Sequence, residues 1–277
     1  MIEIGKFNTL TIARGTSVGL YLTDGTTDVL LPNKYVPEQW QEGEAFTAFV
    51  YLDQEERPVA TTLEPYIKLN DFALLRVSYV NNVGAFMNWG LEKDLFVPFR
   101  EQARPMEQGK RYLVHMHIDE KSNRLVGSSK LNQFIKNENL DVTEGEEVDL
   151  IVSHFTDLGI NVIINGKYKG LLYQSEVYDD LRLGDRIVGY VKTIRPDNKI
   201  DVTLQKPGFE SIEPNAEKIL DELRASRGFL RLTDDSHPED IKTVLKMSKK
   251  SFKKAIGTLY RQRLIEIKED GIYLVKS

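Results

Sequence analysis

Residues 159–204 read GINVIINGKYKGLLYQSEVYDDLRLGDRIVGYVKTIRPDNKIDVTL, and this stretch decides the fold. An apolar run interrupted by the pair Asn165-Gly166 predicts a β-hairpin, because Asn-Gly supplies the two positive φ angles of a type I′ turn. Further along, the β-branched run 187–194 and the run 200–204 flank the turn formers Pro, Asp and Asn. This pattern predicts two more strands.

A further strand is predicted immediately before this stretch. Residues 147–155 have the composition of a strand, so five short strands fall between residues 147 and 204. Five short strands in a segment of this size are typical of an OB-type barrel.

The same residues resemble the S1 RNA-binding domain. Residues 170–176, GLLYQSE, are similar to the Gly-Leu-Val-His-Ile-Ser-Glu string of that family. Residues 183–185, LGD, stand where the family has Val-Gly-Asp, and residues 202–204, VTL, close the last strand. The resemblance implies an OB-type barrel that binds single strands through exposed aromatic and cationic side chains.

Two upstream segments repeat the glycine spacing of this barrel. Gly159 and Gly184 are 25 residues apart, as are Gly84 and Gly109, while Gly19 and Gly43 are 24 apart. Strand order and polar turns recur with the glycines, which indicates an internal repeat. We therefore expect three barrels, in residues 1–66, 67–140 and 141–208.

The apolar period changes after residues 205–208, QKPG. Helical spacing follows Pro214 and Pro238, and Ser248 is placed to cap a third helix that ends near Arg263. Two short strands around residues 269–271, EDG, predict a hairpin. Residues 212–277 therefore resemble a winged-helix domain, and the predicted fold class is a mainly β multidomain chain of three S1-like, OB-type five-stranded barrels followed by this α+β domain.

The order of these parts resembles the bacterial conserved virulence factor B family of RNA-binding proteins. The resemblance covers nearly the whole chain and implies RNA binding with a regulatory role in virulence gene expression. From the residues alone, without the family, the sequence indicates only an assembly that binds nucleic acid.

Composition places limits on function. The net charge of the chain is −5, but residues 67–140 and 212–277 are each +3, while residues 1–66 are −6 and residues 141–211 are −5. Local fields rather than the total attract phosphate. The chain has no cysteine, which excludes disulfides and thiolate chemistry. With no apolar run long enough to span a membrane and no signal region at the N-terminus, we expect a cytoplasmic protein without a membrane partner.

The aromatic position after the first glycine differs among the three copies. It holds Tyr21 in the first and Phe86 in the second, but Asn161 in the third. Phe86 either fills a core or contacts RNA, and the sequence favours neither. Because the first copy is acidic and would repel phosphate, we expect Tyr21 and the Asp53/Arg57 pair to stabilise that barrel or an interdomain contact. At the histidine position of the family string we assign Tyr173 in the third copy, with Leu31 and Val97 as its counterparts.

The third barrel is the predicted RNA platform among the barrels. Tyr173 is an aromatic group there, and five cations are predicted on the third to fifth strands around it: Lys167, Lys169, Lys192, Arg195 and Lys199. Most acidic residues of this segment lie outside those strands, so we expect the cations to act despite the negative total.

The third helix of the C-terminal domain is strongly basic. Residues 248–263 contain six cations and no acid, among them Lys249, Lys250, Lys253, Lys254 and Arg261. The four lysines share adjoining rows of one helical face, which predicts contact with phosphates or a DNA groove. A solvated face without a ligand is the alternative. We favour the ligand, since like charges at i, i+4 destabilise a helix.

Catalytic motifs are lacking in the sequence. His115 and His117 lie on the same face of one strand, but no third ligand accompanies them, so we expect a structural role rather than a metal site. The absence of a Gly-rich phosphate loop leaves no cofactor indicated, and we expect a protein that is not an enzyme.

The leading hypothesis is therefore a regulator that binds single-stranded RNA through the third barrel and the basic winged helix, with Phe86 of the second barrel as an auxiliary contact. A DNA-binding transcription regulator led by the winged helix is the second hypothesis. In a third, the acidic first barrel docks a protein partner and the chain is a scaffold for the ribosome or the RNA-decay machinery.

Overall fold

The computed structural model describes residues 1–177, 180–206 and 214–275. Within them the chain divides into two compact units, Met1–Thr203 and Leu204–Ser277. The first unit holds three five-stranded barrels, two closed and one nearly closed, and the second holds the winged-helix region. None of the helices in these residues is long and apolar enough to cross a membrane.

Barrel 1 closes in the strand order β1-β2-β3-β5-β4. Its strands are β1 Lys6–Thr16, β2 Gly19–Thr23, β3 Asp28–Pro32, β4 Ala45–Leu52 and β5 Pro58–Thr61. The side chains that alternate inward form an aliphatic core, as expected for a half-buried sheet. The fifth strand joins the third in parallel and the fourth antiparallel, which is how an OB-type barrel closes.

Barrel 2 has the order β10-β9-β6-β7-β8. Its strands are β6 Phe72–Val80, β7 Gly84–Asn88, β8 Leu95–Pro98, β9 Arg111–Ile118 and β10 Leu125–Ser128. A Cβ added at Gly127 on β10 would lie 2.9 Å from Val97 on β8. The two edge strands are thus in close contact, and the barrel is nearly closed.

Barrel 3 closes in the order β11-β12-β13-β15-β14, the same order as barrel 1. Its strands are β11 Glu147–Phe155, β12 Gly159–Ile164, β13 Tyr168–Tyr173, β14 Arg186–Ile194 and β15 Ile200–Thr203. The hairpin, the two later strands and the five-stranded barrel predicted from residues 147–204 are all present.

Two glycines per barrel explain the repeated spacing. The first glycine opens the second strand with φ between +148° and +157°, and a Cβ there would lie 2.1–2.4 Å from a carbonyl oxygen; these glycines are Gly19, Gly84 and Gly159. The second has φ between +81° and +86° and donates its N–H to a first-strand carbonyl at 2.8–2.9 Å; these are Gly43, Gly109 and Gly184. Only glycine meets both demands at low cost, so the repeat has a backbone origin.

The strand register corrects one assignment made from the sequence. In each barrel the first glycine lies opposite one residue of the third strand, and these residues are Pro32, Pro98 and Tyr173. The counterparts of Tyr173 are therefore prolines, and naming Leu31 and Val97 was wrong. Both of those side chains are fully buried. A shift of one residue along a strand moves a side chain to the opposite face.

Apolar clusters join neighbouring barrels in the first unit. Phe49 and Tyr51 of β4 meet Trp89 of barrel 2 edge to face, with ring centroids 5.9 and 6.0 Å apart. Phe72 of barrel 2 and Ile163 of barrel 3 belong to a second cluster and are fully buried. These contacts hold the three barrels as one compact unit.

The winged-helix region combines three helices with a three-stranded sheet of order β16-β18-β17. Its elements are α1 Pro214–Ala225, β16 Phe229–Leu230, α2 Pro238–Leu245, α3 Lys249–Arg261, β17 Ile265–Lys268 and β18 Gly271–Leu274. Lys246 ends α2 in the left-handed region with φ +55°. Ser248 then caps α3, because its Oγ accepts the N–H of Ser251 at 3.1 Å. The predicted cap is confirmed.

Candidate nucleic-acid interface

An aromatic row crosses the outer face of barrel 2, and it consists of Tyr79, Phe86 and Phe96. In the register, Phe86 lies opposite Tyr79 on β6 and opposite Phe96 on β8. The Tyr79 and Phe86 rings are stacked at 4.5 Å with an interplanar angle of 9°, and the Phe86 and Phe96 rings are 5.0 Å apart. Three strands thus present three adjoining rings.

The row lies on the outer face because of the strand alternation. Ala85 and Met87, the neighbours of Phe86 on β7, are fully buried, whereas Phe86 is half-buried and Tyr79 is 44% exposed. A bulge in β6 between Val77 and Tyr79 turns Tyr79 to the same face. Of the two alternatives left open for Phe86, the structure places its ring outside the barrel core.

A cavity of about 420 Å³ adjoins the aromatic row, and charged residues are part of its lining. Phe86 and Phe96 form part of its wall, and Arg100, Asp119 and Arg124 lie among its lining residues. The Arg100 guanidinium pairs with the Asp119 carboxylate. Hydrogen bonds from Ser122 and Arg100 lower the pKa of Asp119. Aromatic and cationic groups are thus close together in barrel 2.

Sequence reasoning missed Tyr79 and Phe96. The signal was present, since pairing β7 with β8 from Gly84 and Pro98 inward places Phe96 opposite Phe86. Tyr79 needed the β6 bulge, which shifts its face by one residue and cannot be seen in the apolar alternation.

In barrel 3, Tyr173 and Arg195 form one hydrogen-bonded group with Asp201. The Arg195 guanidinium donates to both Asp201 oxygens at 2.9–3.0 Å and also to the Tyr173 hydroxyl. Hydrogen bonding to the Asp201 carboxylate raises the pKa of Arg195. Asp201 is buried, so this cation already holds a carboxylate.

Three of the other predicted cations of barrel 3 are also paired. Lys167 bonds Asp141 at 2.6 Å, Lys199 bonds Asp197 at 2.6 Å, and Lys192 bonds Glu176. The acids lie outside the strands, as the sequence indicated, but the loops bring their carboxylates to the lysines. Within the part of the chain that the structure describes, Lys169 alone of these five cations has no salt bridge. The structure therefore does not bring the five together as a field of unpaired charge.

Barrel 1 uses its aromatic and charged groups internally. The Arg14 guanidinium lies 4.3 Å from the centre of the Tyr21 ring and pairs with Asp28 at 2.6 Å. Arg57 pairs with Asp53 at 2.8 Å. These contacts are the stabilising arrangement expected of the acidic barrel, and a protein partner for barrel 1 stays a prediction.

The basic helix α3 exposes most of its predicted cations. Lys250, Lys253, Lys254 and Arg261 are exposed, while Phe252 and its apolar companions are buried on the other face. Lys249 is half-buried, and its Nζ donates to the Ser236 carbonyl at 2.9 Å. Lys253 lies 3.6 Å from Asp234. The helix thus presents a basic face, with Lys249 at its edge.

The imidazole rings of His115 and His117 both pack against Phe134. His115 is 6% exposed and stacks on Phe134 at 4.0 Å, and burial lowers its pKa to about 4. Burial also lowers the pKa of His117. Across residues 1–177, 180–206 and 214–275, no cluster of three or more His, Cys, Asp or Glu side chains is arranged for a metal ion.

Comparison with known proteins agrees with this architecture. The family model described as S1 domain matches residues 4–63, and the CvfB-like winged helix domain matches residues 217–274. The S1 match falls on barrel 1, although the S1 resemblance was recognised in barrel 3; the two barrels have the same strand order. Neither family model describes an enzyme.

Relatives match most of the chain. Uncharacterized protein YitL of Bacillus subtilis (strain 168) is 29% identical over 93% of this chain and 89% of its own. Conserved virulence factor B of Staphylococcus saprophyticus is 25% identical over 87% of this chain and 83% of its own. A crystal structure of a multidomain protein with nucleic acid binding domains from Streptococcus pneumoniae TIGR4 is 24% identical, covers 98% of both chains and has a TM-score of 0.42.

The fold and the matched domains place the chain in a class of multidomain proteins that combine S1-type barrels with a winged helix, two kinds of domain that typically bind nucleic acid. Its resemblance to the conserved virulence factor B family, which the order of the domains predicted, is confirmed by the winged-helix match and by relatives of that name over most of the chain.

Proposed function

We propose that this protein binds single-stranded RNA and regulates gene expression after transcription. The observation that carries the proposal is the aromatic row Tyr79–Phe86–Phe96 on barrel 2. Support for regulation comes from relatives named conserved virulence factor B.

The physical argument is that unpaired bases stack on exposed rings. Single-strand-binding OB folds combine such rings with cations that follow the backbone, and each stacked base contributes about 1–3 kcal/mol. The row offers ring faces on adjacent strands, and Arg100 and Arg124 lie beside them. Duplex bases are stacked on each other and cannot use such a row, so this geometry favours single strands.

The basic face of α3 and the cations of barrel 3 add electrostatic attraction in this proposal. Exposed lysines that meet phosphates release counterions and raise affinity without sequence preference. Lys169 of barrel 3 and Lys250 of α3 are exposed members of the two predicted sets. In this proposal the RNA contacts predicted on barrel 3 and α3 are secondary to those of barrel 2.

Fluorescence anisotropy with a labelled single-stranded RNA tests the assignment. Phe86→Ala removes the central ring, and the loss of about 1–3 kcal/mol of stacking corresponds to roughly a 5- to 150-fold weaker affinity. Tyr66→Ala is the matched control, since Tyr66 is 65% exposed and lies outside the row. If Phe86→Ala folds normally and binds as tightly as the unmodified chain, barrel 2 is not the platform.

Duplex DNA binding by the winged helix is the second candidate function. It is favoured by the exposed basic face of α3, which follows α2 in helix-turn-helix order. Competition of labelled RNA against unlabelled single-stranded RNA, single-stranded DNA and duplex DNA separates the two. Stronger competition by duplex DNA, together with no effect of Phe86→Ala, supports the DNA-binding function.

A further inference from the structure

We propose that the cavity between barrels 1 and 2 is a single-nucleotide site, in which Glu56 of barrel 1 occupies the position of a phosphate. The inference rests on the proposed function, because the cavity adjoins the aromatic row. Its volume of about 420 Å³ lies in the range of about 300–1,000 Å³ that is usual for small-molecule pockets. Both barrels line it, with Tyr51, Leu52 and Glu56 contributed by barrel 1.

The apolar part of the cavity lining suits a planar base. It includes the rings of Phe86, Phe96 and Trp89 and the aliphatic side chains of Leu95 and Val126. Apolar and aromatic walls of this kind bind flat ring systems by stacking and burial. A base that leaves the aromatic row can therefore enter the cavity without losing ring contact.

The charged part of the cavity lining suits a phosphate. Arg124 binds the Glu56 carboxylate with a nitrogen–oxygen distance of 2.5 Å. Lys93 is half-buried, and its Nζ donates to the Asp53 carbonyl at 2.6 Å. Among the described residues no carboxylate is within salt-bridge distance of Lys93, and burial lowers its pKa. An anion in the cavity would satisfy both cations, since guanidinium and ammonium groups are strong phosphate donors.

The position of Glu56 is a second, independent indication. Each barrel has a β-turn at the end of its fourth strand with one residue in the left-handed region: Glu56 at φ +65°, Asn123 at +55° and Asn198 at +59°. Asparagine adopts this region readily, whereas glutamate is disfavoured there. Barrel 1 alone of the three has the unfavourable residue, and its carboxylate is the one that reaches across to Arg124 of the next barrel.

Binding would then be an exchange of anions on Arg124. The base contacts the aromatic and aliphatic part of the lining, and its phosphate displaces the Glu56 carboxylate. The ligand is a nucleotide, which can be part of an RNA strand or a free nucleoside monophosphate. Barrel 1 thereby limits the affinity of barrel 2 for weak ligands, because every nucleotide must compete with Glu56.

Tryptophan fluorescence tests occupancy of the cavity. The chain has two tryptophans, so Trp40→Phe leaves Trp89 in the cavity wall as the reporter. This variant is titrated with single-stranded RNA of mixed sequence and, separately, with the four nucleoside monophosphates, while anisotropy of labelled RNA follows total binding. If only the RNA quenches Trp89 fluorescence in a saturable way, the cavity binds a nucleotide within an RNA strand. If the monophosphates quench it too, the cavity also binds free nucleotides, and either result supports the site.

Charge variants test the role of Glu56. Glu56→Gln is expected to tighten binding about two- to fivefold, the range of an exposed ion pair, and Arg124→Gln to weaken it about tenfold or more, the loss of a charged hydrogen bond. Glu55→Gln is the matched control, because Glu55 is adjacent and pairs with Arg57 at 2.8 Å instead. It should leave affinity unchanged.

The outcomes against the proposal are distinct. If anisotropy rises while Trp89 fluorescence stays constant with every ligand, the cavity is not a nucleotide site, although the proposed function stands. If neither signal changes, both proposals fail. If Glu56→Gln weakens binding as Arg124→Gln does, Glu56 holds the ligand and is not a phosphate substitute.

Discussion

The Nζ of Lys249 donates a 2.9 Å hydrogen bond to the backbone carbonyl of Ser236 and so ties the first residue of α3 to the segment before α2. Lys249 is half-buried there, whereas its neighbour Lys250 is exposed and forms no salt bridge within the described ranges. Two adjacent lysines of one basic run therefore differ in role. Lys249 positions the helix, and Lys250 is available to a phosphate.

This difference predicts that two alanine substitutions affect different properties. Lys249→Ala should lower the stability of the winged-helix domain by about 1 kcal/mol, the usual worth of a hydrogen bond. Lys250→Ala should change stability by less than about 0.5 kcal/mol. It should reduce the slope of log affinity against log salt by about 0.7, one phosphate contact on a single strand. Thermal unfolding and RNA titrations at several salt concentrations measure both; equal effects of the two variants on unfolding would contradict the prediction.

Gly159→Ala should destabilise the first unit strongly. A Cβ at this position would lie 2.3 Å from the Leu172 carbonyl oxygen, and φ is +156°. Neither strand can move away from this contact without breaking the β12–β13 pairing. The free energy of unfolding should therefore fall by about 2–4 kcal/mol. Gly257→Ala, in open space on α3, is the control and should stabilise by about 0.5–1 kcal/mol. Urea unfolding followed by circular dichroism measures both changes.

The barrels could be predicted because their signals are local. Asn165-Gly166 specifies a turn by its own backbone preference, and the paired glycines of each barrel mark positions where a Cβ would collide with a neighbouring strand. The helix cap at Ser248 is equally local. The positions of the strands along the chain could therefore be predicted from the residues. The assignment of Pro32 and Pro98 as counterparts of Tyr173 could not, because it depends on which residue of the third strand lies opposite each glycine.

The candidate site was less predictable because it depends on contacts that form only in the tertiary fold. Counting charges along barrel 3 could not reveal that Asp141 reaches Lys167 or that Asp201 holds Arg195, since each pair is formed by different strands or loops. Likewise, the Glu56–Arg124 pair joins two barrels. The sequence shows which charged residues a domain contains, but the tertiary fold determines which of them form salt bridges with each other.

Acid should weaken the first unit through His115. Burial beside Phe72 and Phe134 lowers its pKa to about 4, whereas an unfolded histidine titrates near its ordinary value of about 6.5. Between these values the unfolded chain binds more protons, so the contribution of His115 is complete above about pH 6.5 and is lost as pH falls toward 4. The slope for this one group approaches about 1.4 kcal/mol per pH unit.

Urea unfolding from about pH 7 to about pH 5 measures this slope. His115→Gln should remove most of it, and the difference between the variant and the unmodified chain isolates this histidine from the carboxylates. His117→Gln is the comparison, because burial lowers the pKa of His117 in the same direction from a more exposed position. A His115→Gln variant that keeps the full pH dependence would show that other groups cause it.

Lys169 should carry most of the electrostatic contribution of barrel 3 to RNA binding. It is exposed on β13 and has no salt bridge in the part of the chain described, whereas Lys167 is held by Asp141 at 2.6 Å. Lys169→Gln should therefore lower RNA affinity and reduce the salt slope by up to about 0.7, the value for one phosphate contact on a single strand. Lys167→Gln changes the total charge equally but removes a cation already bound to a carboxylate, so its slope should stay the same. RNA titrations of both variants across salt concentration measure the difference. Equal slopes would show that Lys169 does not contact the RNA and would contradict the prediction.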